Sequence, residues 1–180
     1  MKKLPVLLIA ICFSLVIKAQ TNPIDAMFDK YSEKEGFTLV SISGRMFSMF
    51  ANSESESKGP DNVINKLKSI RILSVEDSSL NIGLNFYTEL SGKLDLRVYE
   101  ELMLVKEGPD ITRFLIRQKG EVITELLVIS GGPGGNSLIS IMGELDLKSI
   151  SNLSKEMGIE DLEELDEIET RKNKKSKPDE

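Results

Sequence analysis

The spacing of apolar residues changes along this chain from a helical period to the alternation typical of strands. Four apolar residues between positions 24 and 31 are spaced as on one face of a helix, which predicts an amphipathic helix closed by Gly36. These residues are Ile24, Met27, Phe28 and Tyr31. The next segments predict a strand over 37–43, a helix over 45–50, a polar loop over 52–60, a helix around 63–67, a strand over 70–76 and a helix over 82–90. The predicted apolar side of the 45–50 helix consists of Met46, Phe47, Met49 and Phe50.

From position 99 onwards the pattern consists of β-rich runs separated by short connections. The runs cover residues 101–106, 111–118, 121–129 and 137–142. Gly108 and Pro109 form the first connection, and Gly120 in the second can adopt the positive φ that a tight hairpin needs. Because short connections join antiparallel neighbours, these runs predict a four-stranded antiparallel meander.

The third of these runs is apolar on both faces. One predicted face carries Val122, Leu126 and Val128, and the other carries Ile123, Leu127 and Ile129. Such a strand is expected at the centre of a sheet that is covered on both sides. Helices of the first half would supply one cover, and either the last helix or a second subunit would supply the other. We therefore predict a single α+β domain over residues 20–158, with a mainly antiparallel sheet packed against helices.

The chain beyond the last predicted strand is increasingly charged. Asp146 is a favourable N-cap for a helix that ends near Gly158. Residues 159–180 are predicted to form an acidic helix followed by a disordered charged tail. The apolar stripe of the acidic helix, Leu162, Leu165 and Ile168, belongs either to a solvated helix or to a surface that docks on a partner.

One internal similarity links the two halves of the chain. The segment LVSISG at 39–44 matches LISIMG at 138–143. The match indicates either a duplicated unit or a chance coincidence of common residues.

The first 19 residues have the organisation of a secretory signal peptide. Lys2 and Lys3 precede an apolar run over 4–17, and Ala19 provides a small residue for cleavage. The run is shorter than the roughly 20 residues that span a bilayer, although an uncleaved anchor is the alternative. Cys12 follows Ile11 rather than the small residue of a lipoprotein signal, so we do not expect a lipid anchor. These features predict an exported protein of the periplasm or outer membrane, without an integral membrane span in its mature form.

Composition removes most common catalytic and metal-binding chemistry. The chain has no histidine and one cysteine, with 23 basic and 29 acidic side chains and a net charge of −6. Cleavage after Ala19 would remove three lysines and Cys12, which leaves 20 basic against 29 acidic residues, a net charge of −9. Sites that need histidine are excluded, and the acidic balance argues against nucleic acid as a partner. We predict no cofactor and no metal site.

Several local features are compatible with binding or catalysis. The glycine-rich loop 131–136 lies between two predicted strands and lacks a phosphate-binding motif, so a hairpin loop is the favoured interpretation. Acidic pairs such as Glu100–Glu101 and Glu107–Asp110 need a desolvated member for acid–base work and are more typical of solvated turns. These pairs contribute Glu101 as a candidate residue.

Glu125 is the most unusual charged residue, because it lies inside the apolar run 122–129. A covered carboxylate there must pair with a cation such as Arg113 or Arg117 on the preceding strand. We therefore take Glu125, Arg113, Arg117 and Glu101 as candidate functional residues, while a structural ion pair remains the simpler interpretation.

Four groups of residues together resemble one protein family. They are FDKY at 28–31 with EG at 35–36, IRIL at 70–73, YEELM at 99–103 and ELLV at 125–128. Over residues 24–157 the chain resembles the DUF4252-type proteins, small exported proteins of Gram-negative bacteria classed as a domain of unknown function. The resemblance implies a periplasmic or envelope-associated α+β domain, in a family whose genes often lie beside those of alternative sigma factors. It implies no catalytic residue.

The sequence favours a non-enzymatic envelope protein that binds a protein partner or assembles with itself. Two alternatives remain. One is a hydrolase that uses carboxylates or a Ser-Lys pair, and the other is a small-ligand sensor, which would need an apolar pocket of about 300 Å³ or more.

Overall fold

The computed structural model describes residues 22–53, 66–120 and 122–145, which form a six-stranded sheet with short helices. In chain order the elements are α1 (Pro23–Tyr31), β1 (Phe37–Ser43), α2 (Gly44–Ser53), β2 (Leu67–Val75), a 3-10 helix (Ser78–Ile82), α3 (Phe86–Ser91), β3 (Glu100–Glu107), β4 (Asp110–Lys119), β5 (Val122–Gly131) and β6 (Ser137–Leu145).

The strands lie in the order β1-β2-β6-β5-β4-β3, and every neighbouring pair is antiparallel. The predicted α+β class is therefore confirmed. Strands β3 to β6 follow one another both along the chain and across the sheet, while β2 pairs with β6 and places β1 outermost. Strands β1 and β3 thus form the two edges, and β5 and β6 lie at the centre.

Helices α1 and α3 pack on one face of the sheet, which we call the helix-covered face. Helix α1 begins where the Asn22 side chain accepts a hydrogen bond from the backbone N–H of Ile24, and Pro23 occupies its first turn. The four apolar residues predicted for this helix are all buried, which confirms its apolar face, but the helix ends at Tyr31 with Ser32 as its C-cap rather than at Gly36. The core on this face consists of Ile24, Met27, Phe28, Tyr31, Leu73, Phe86, Leu90, Leu94, Leu115, Leu127, Ile129 and Leu138.

The opposite face carries a second buried core, to which α2 contributes Phe47. This core consists of Phe47, Leu67, Ile70, Phe114, Ile116, Ile123, Leu126, Val128, Ile139, Ile141 and Leu145. Strand β5 is therefore buried on both faces, as predicted for a central strand. The predicted apolar side of α2 is only partly correct, because Met46 and Met49 are exposed while Phe47 is buried.

Two predicted helices differ from the structure. Leu67 begins strand β2 rather than belonging to a helix, because its side chain enters the second core. The helix predicted over 82–90 is shorter and begins at Phe86. Gly83 ends the preceding 3-10 helix, and the Asn85 side chain caps α3 by accepting a hydrogen bond from the Thr88 N–H.

The predicted alternation of side chains along β5 is wrong at its beginning. Ile123 lies in the same core as Leu126 and Val128, not with Leu127 and Ile129. A register shift between Ile123 and Glu125 interrupts the pairing with β6 and reverses the face on which Ile123 lies.

Several predictions concern residues outside the described ranges. These are the signal peptide, the loop over 54–60, residues 63 and 64 of the predicted helix, the helix after Asp146 and the acidic segment with its tail. Within residues 22–53, 66–120 and 122–145, no helix is both long and apolar enough to cross a bilayer.

Candidate functional site

Glu125 is a buried carboxylate that three side chains hold in place. Only 2% of its surface is exposed. Its Oε2 lies 2.8 Å from Nη2 of Arg117 and accepts a hydrogen bond from the Tyr99 hydroxyl at 3.0 Å, while Oε1 accepts one from the Ser140 hydroxyl at 3.0 Å. The cation predicted to pair with Glu125 is therefore Arg117, its direct cross-strand neighbour on β4.

The surroundings of Glu125 favour a fixed ion pair over a reactive acid. Burial raises the pKa of Tyr99, and the negative charge of Glu125 raises it further, so the phenol remains a hydrogen-bond donor. Throughout the described ranges, every buried side-chain nitrogen or oxygen has a hydrogen-bond partner. Both oxygens of Glu125 are thus already engaged with groups of this chain.

Arg113 and Glu101 form a second, separate pair. Nε of Arg113 lies 2.6 Å from Oε2 of Glu101, and the Glu101 side chain is 39% exposed. Arg113 lies opposite Ile129 on β5, whereas Arg117 lies opposite Glu125. The structure therefore places the four candidate residues in two ion pairs, each of which neutralises its own carboxylate.

The glycine-rich loop after β5 is fastened to the β3–β4 turn. The Asp110 carboxylate accepts a hydrogen bond from the backbone N–H of Gly134 at 2.7 Å. A Cβ atom on Gly134 would lie 3.1 Å from that carboxylate, so the loop approaches closely because glycine has no side chain. Asp110, one of the predicted acidic pair, thus positions a hairpin loop.

A polar cleft of about 360 Å³ lies beside this loop, at the opposite end of β4 from Arg117. Thr112, Ser130 and Ser137 lie in one row across three strands and line it, and the first two hydroxyls are 2.9 Å apart. Glu107 and Asp110 add carboxylates. This cleft has the volume but not the apolar lining that the small-ligand sensor would need.

The two edges of the sheet differ in how they are protected from strand pairing. Strand β3 carries charges at both ends, namely Glu100, Glu101, Lys106 and Glu107, and a register shift interrupts its pairing with β4. Charges and bulges are the devices by which proteins prevent other chains from adding to an edge. Strand β1 has neither a charged residue nor a proline over its seven residues, and it pairs with β2 without a shift.

Side chains on both faces of β1 are accessible. Leu39 is 37% exposed and Val40 is 41% exposed, although successive residues of a strand point to opposite faces. No strand within the described ranges pairs with the outer side of β1. Within the part of the chain that the structure describes, the outer side of the strand is therefore open for pairing.

Two hydrogen bonds determine which backbone groups of β1 face outward. The Val75 N–H donates to Asn136, toward β6, while the Glu76 N–H donates to the carbonyl of Gly36. The bond from Glu76 shows that Gly36, just before β1, directs its backbone groups toward β2. Because the backbone groups of successive strand residues point to alternate sides, the even-numbered residues of β1 also direct theirs toward β2. The N–H and C=O groups of Leu39 and Ser41 consequently point to the open side.

Comparison with known protein families identifies the chain. The sequence profile of a domain of unknown function, DUF4252, matches residues 31–153, which is more than half of the chain. The chain belongs to the DUF4252 family. The searches of curated proteins and of solved structures found no significant match.

The matched region of this DUF4252 protein contains all six strands and both candidate ion pairs. It also contains the whole of β1. The family description assigns no activity to this domain.

Sequence reasoning did not identify Asn136 as important to this DUF4252 domain. Its side chain is buried, accepts a hydrogen bond from the Phe86 N–H and donates to Asn81, Leu84 and Gly132. A polar residue at the end of a glycine-rich loop gives no indication of contacts some 50 residues away in sequence. The open edge was also missed, because a strand's position in a sheet depends on topology.

Proposed function

We propose that this protein is a non-enzymatic binding module that engages a protein partner by strand addition at β1. The observation that carries the proposal is the contrast between the two edges of the sheet. A regular, uncharged edge strand is a template on which another strand can pair. Its outward backbone groups would provide affinity, and the exposed side chains of Leu39 and Val40 would provide contacts on both faces.

We further propose that the module works outside the cytoplasm, in the cell envelope. The support is the signal-peptide organisation of residues 1–19. The chain contains no cysteine beyond Cys12, so its contacts with a partner would not depend on disulfides. Strand addition fits such a protein, because it relies on backbone hydrogen bonds.

The hydrolase alternative receives no comparable support from the predicted carboxylates. Glu125 is enclosed by its three partners, and Glu101 is paired with Arg113. A general acid needs a carboxyl group that can exchange a proton with a substrate, which these arrangements do not favour.

Photo-crosslinking in the producing cells tests strand addition. A photoreactive p-benzoylphenylalanine replaces Val40 on β1 or, as a matched control, Leu104 on β3, which has a similar exposure of 38%. We expect a discrete crosslinked product, identified by mass spectrometry, from position 40 and not from position 104. No product from position 40, or equal products from both positions, would contradict the proposal.

A proline substitution shows whether the crosslink depends on backbone pairing. Ser41→Pro removes an N–H group that points to the open side and leaves the bonds between β1 and β2 intact. We expect this substitution to abolish the product from position 40. Persistence of the product would mean that the partner binds without strand addition.

A further inference from the structure

Building on the proposed strand addition, we infer that the partner strand is β1 of a second copy of this chain. Two copies of β1 would pair antiparallel about a two-fold axis beside Val40, which joins the two sheets edge to edge. A two-fold contact requires one surface to be complementary to itself. Strand β1 satisfies this requirement, because a segment without charges places no like charges opposite each other.

The directions of the backbone groups and the length of β1 together favour this register. A two-fold axis perpendicular to the sheet keeps the helix-covered faces of both copies on the same side, so paired residues must point to the same face. Centring the pair on Val40 places Leu39 opposite Ser41 of the second copy and pairs all seven residues. Leu39 and Ser41 are the residues whose backbone groups point outward, so each pair would exchange two hydrogen bonds.

The side chains are also compatible with this arrangement. Val40 would lie opposite its own counterpart in a non-hydrogen-bonded pair, where side chains approach most closely. Pairs of β-branched residues stabilise a sheet at such positions. The exposed surfaces of Leu39 and Val40 would be covered on the two faces.

The charge distribution favours a second copy approaching through this edge. The chain is acidic, with a net charge of −6, so two copies repel each other on average. The acidic residues Glu100, Glu101 and Glu107 lie on β3, at the opposite edge of the sheet. The uncharged β1 edge is therefore a place where two copies can meet without that repulsion.

A charge-exchange experiment on the full chain tests the inference. Val40→Lys and Val40→Glu each place two like charges directly opposite each other across the two-fold axis. Light scattering is expected to show a dimer for the wild type and at least tenfold weaker dimerisation for each variant alone. An equal mixture of the two variants should regain the dimer, because lysine then lies opposite glutamate.

Leu104→Lys is the matched control, since it places a lysine at the other edge and should leave the dimer unchanged. A monomeric wild type at all concentrations, or a mixture of variants that stays monomeric, would overturn the inference. If the wild type is monomeric but position 40 still crosslinks to a different protein, the second copy is wrong and strand addition stands. If that crosslink is also absent, both proposals fail.

A disulfide provides a readout that does not depend on charged variants folding. In a Cys12→Ser background, Val40→Cys should form an intermolecular disulfide on mild oxidation, because Cα atoms of a non-hydrogen-bonded pair lie about 4.5 Å apart, within the disulfide range. Leu104→Cys should remain unlinked. Equal linking of both variants, or none at position 40, contradicts the register.

Discussion

Burial of the Glu125 carboxylate determines the chemistry around it. A charge removed from water must regain its lost hydrogen bonds from the protein, and Arg117 together with two hydroxyl groups supplies them. These groups come from three separate parts of the chain, the segment before β3 and strands β4 and β6, and Glu125 itself lies on β5. Glu125 therefore joins the strands at one end of the helix-covered face.

We expect Glu125→Gln to lower the free energy of unfolding by about 1–3 kcal/mol, because the neutral amide loses the ion pair with Arg117 and keeps only one acceptor oxygen. Urea denaturation at neutral pH measures the change. The matched control is Glu101→Gln, for which the exposed pair predicts less than about 1 kcal/mol. Equal effects of the two substitutions would contradict a structural role specific to Glu125.

Glu89 connects α3 to α1, and its ionisation makes the free energy of unfolding depend on pH in the acidic range. It accepts hydrogen bonds from Lys30 Nζ at 2.6 Å and from the Tyr31 hydroxyl at 2.8 Å. Burial acts to raise the pKa of Glu89, but these hydrogen bonds outweigh burial and hold the pKa below its ordinary value of 4.5. Because the folded-state pKa is the lower one, the carboxylate stabilises the fold above pH 4.5 and loses this effect as pH falls through the folded-state pKa.

We expect Glu89→Gln to cost about 1 kcal/mol at pH 7 and progressively less below pH 4.5. Urea denaturation of wild type and variant at pH 7, 5, 4 and 3 measures the difference between them. A difference that stays constant across this series would show that the ionised carboxylate is not what links the two helices.

At the scale of elements, the strands were predictable because alternation and turn residues coincide. Gly108 and Gly120 adopt the positive φ that their turns require, and the strands on either side begin and end within a few residues of their predicted bounds. The failures have local causes. A bulge places Ile123 on the opposite face from the predicted one, and Leu67 packs into the second core as part of a strand rather than a helix. The periodic pattern of apolar residues contains no signal for either feature.

The repeated segment also acquires a structural meaning. Leu39 and Leu138 lie on either side of Leu73, and Ile42 and Ile141 lie on either side of Ile70. The segments 39–44 and 138–143 therefore flank β2 in the same direction and at equivalent positions. The structure thus gives the two segments equivalent surroundings, and both duplication and chance remain compatible with their similarity.

Helix α3 is held against β5 at a position where only glycine fits. A Cβ atom on Gly131 would lie 2.5 Å from both Oδ1 of Asn85 and the backbone nitrogen of Tyr87. We expect Gly131→Ala to lower the free energy of unfolding by about 1–3 kcal/mol through overpacking. Thermal denaturation compares it with Gly83→Ala, where nothing lies within 4 Å of the added atom. A destabilisation no larger than that of Gly83→Ala would mean that α3 can move away freely.

At the scale of the whole molecule, charge and shape divide the sheet into two unlike edges. The acidic, bulged β3 disfavours additional strands, while β1 presents a regular row of backbone groups with which no other described strand pairs. The pairing of Glu125 could be anticipated from one strand and its neighbour. The open edge could not, because β1 lies outermost only when β2 pairs with β6, some 70 residues away in the chain.

Residue-resolved amide hydrogen exchange tests the central claim most directly, namely that the outer side of β1 is a pairing surface. The amides of Thr38 and Val40, which face β2, should be protected at every protein concentration. Those of Leu39 and Ser41 should exchange rapidly in dilute protein and become protected as concentration rises and the second copy binds. The contradicting result is rapid exchange of the Leu39 and Ser41 amides under both conditions. These conditions are high protein concentration and the presence of any partner that crosslinks at position 40.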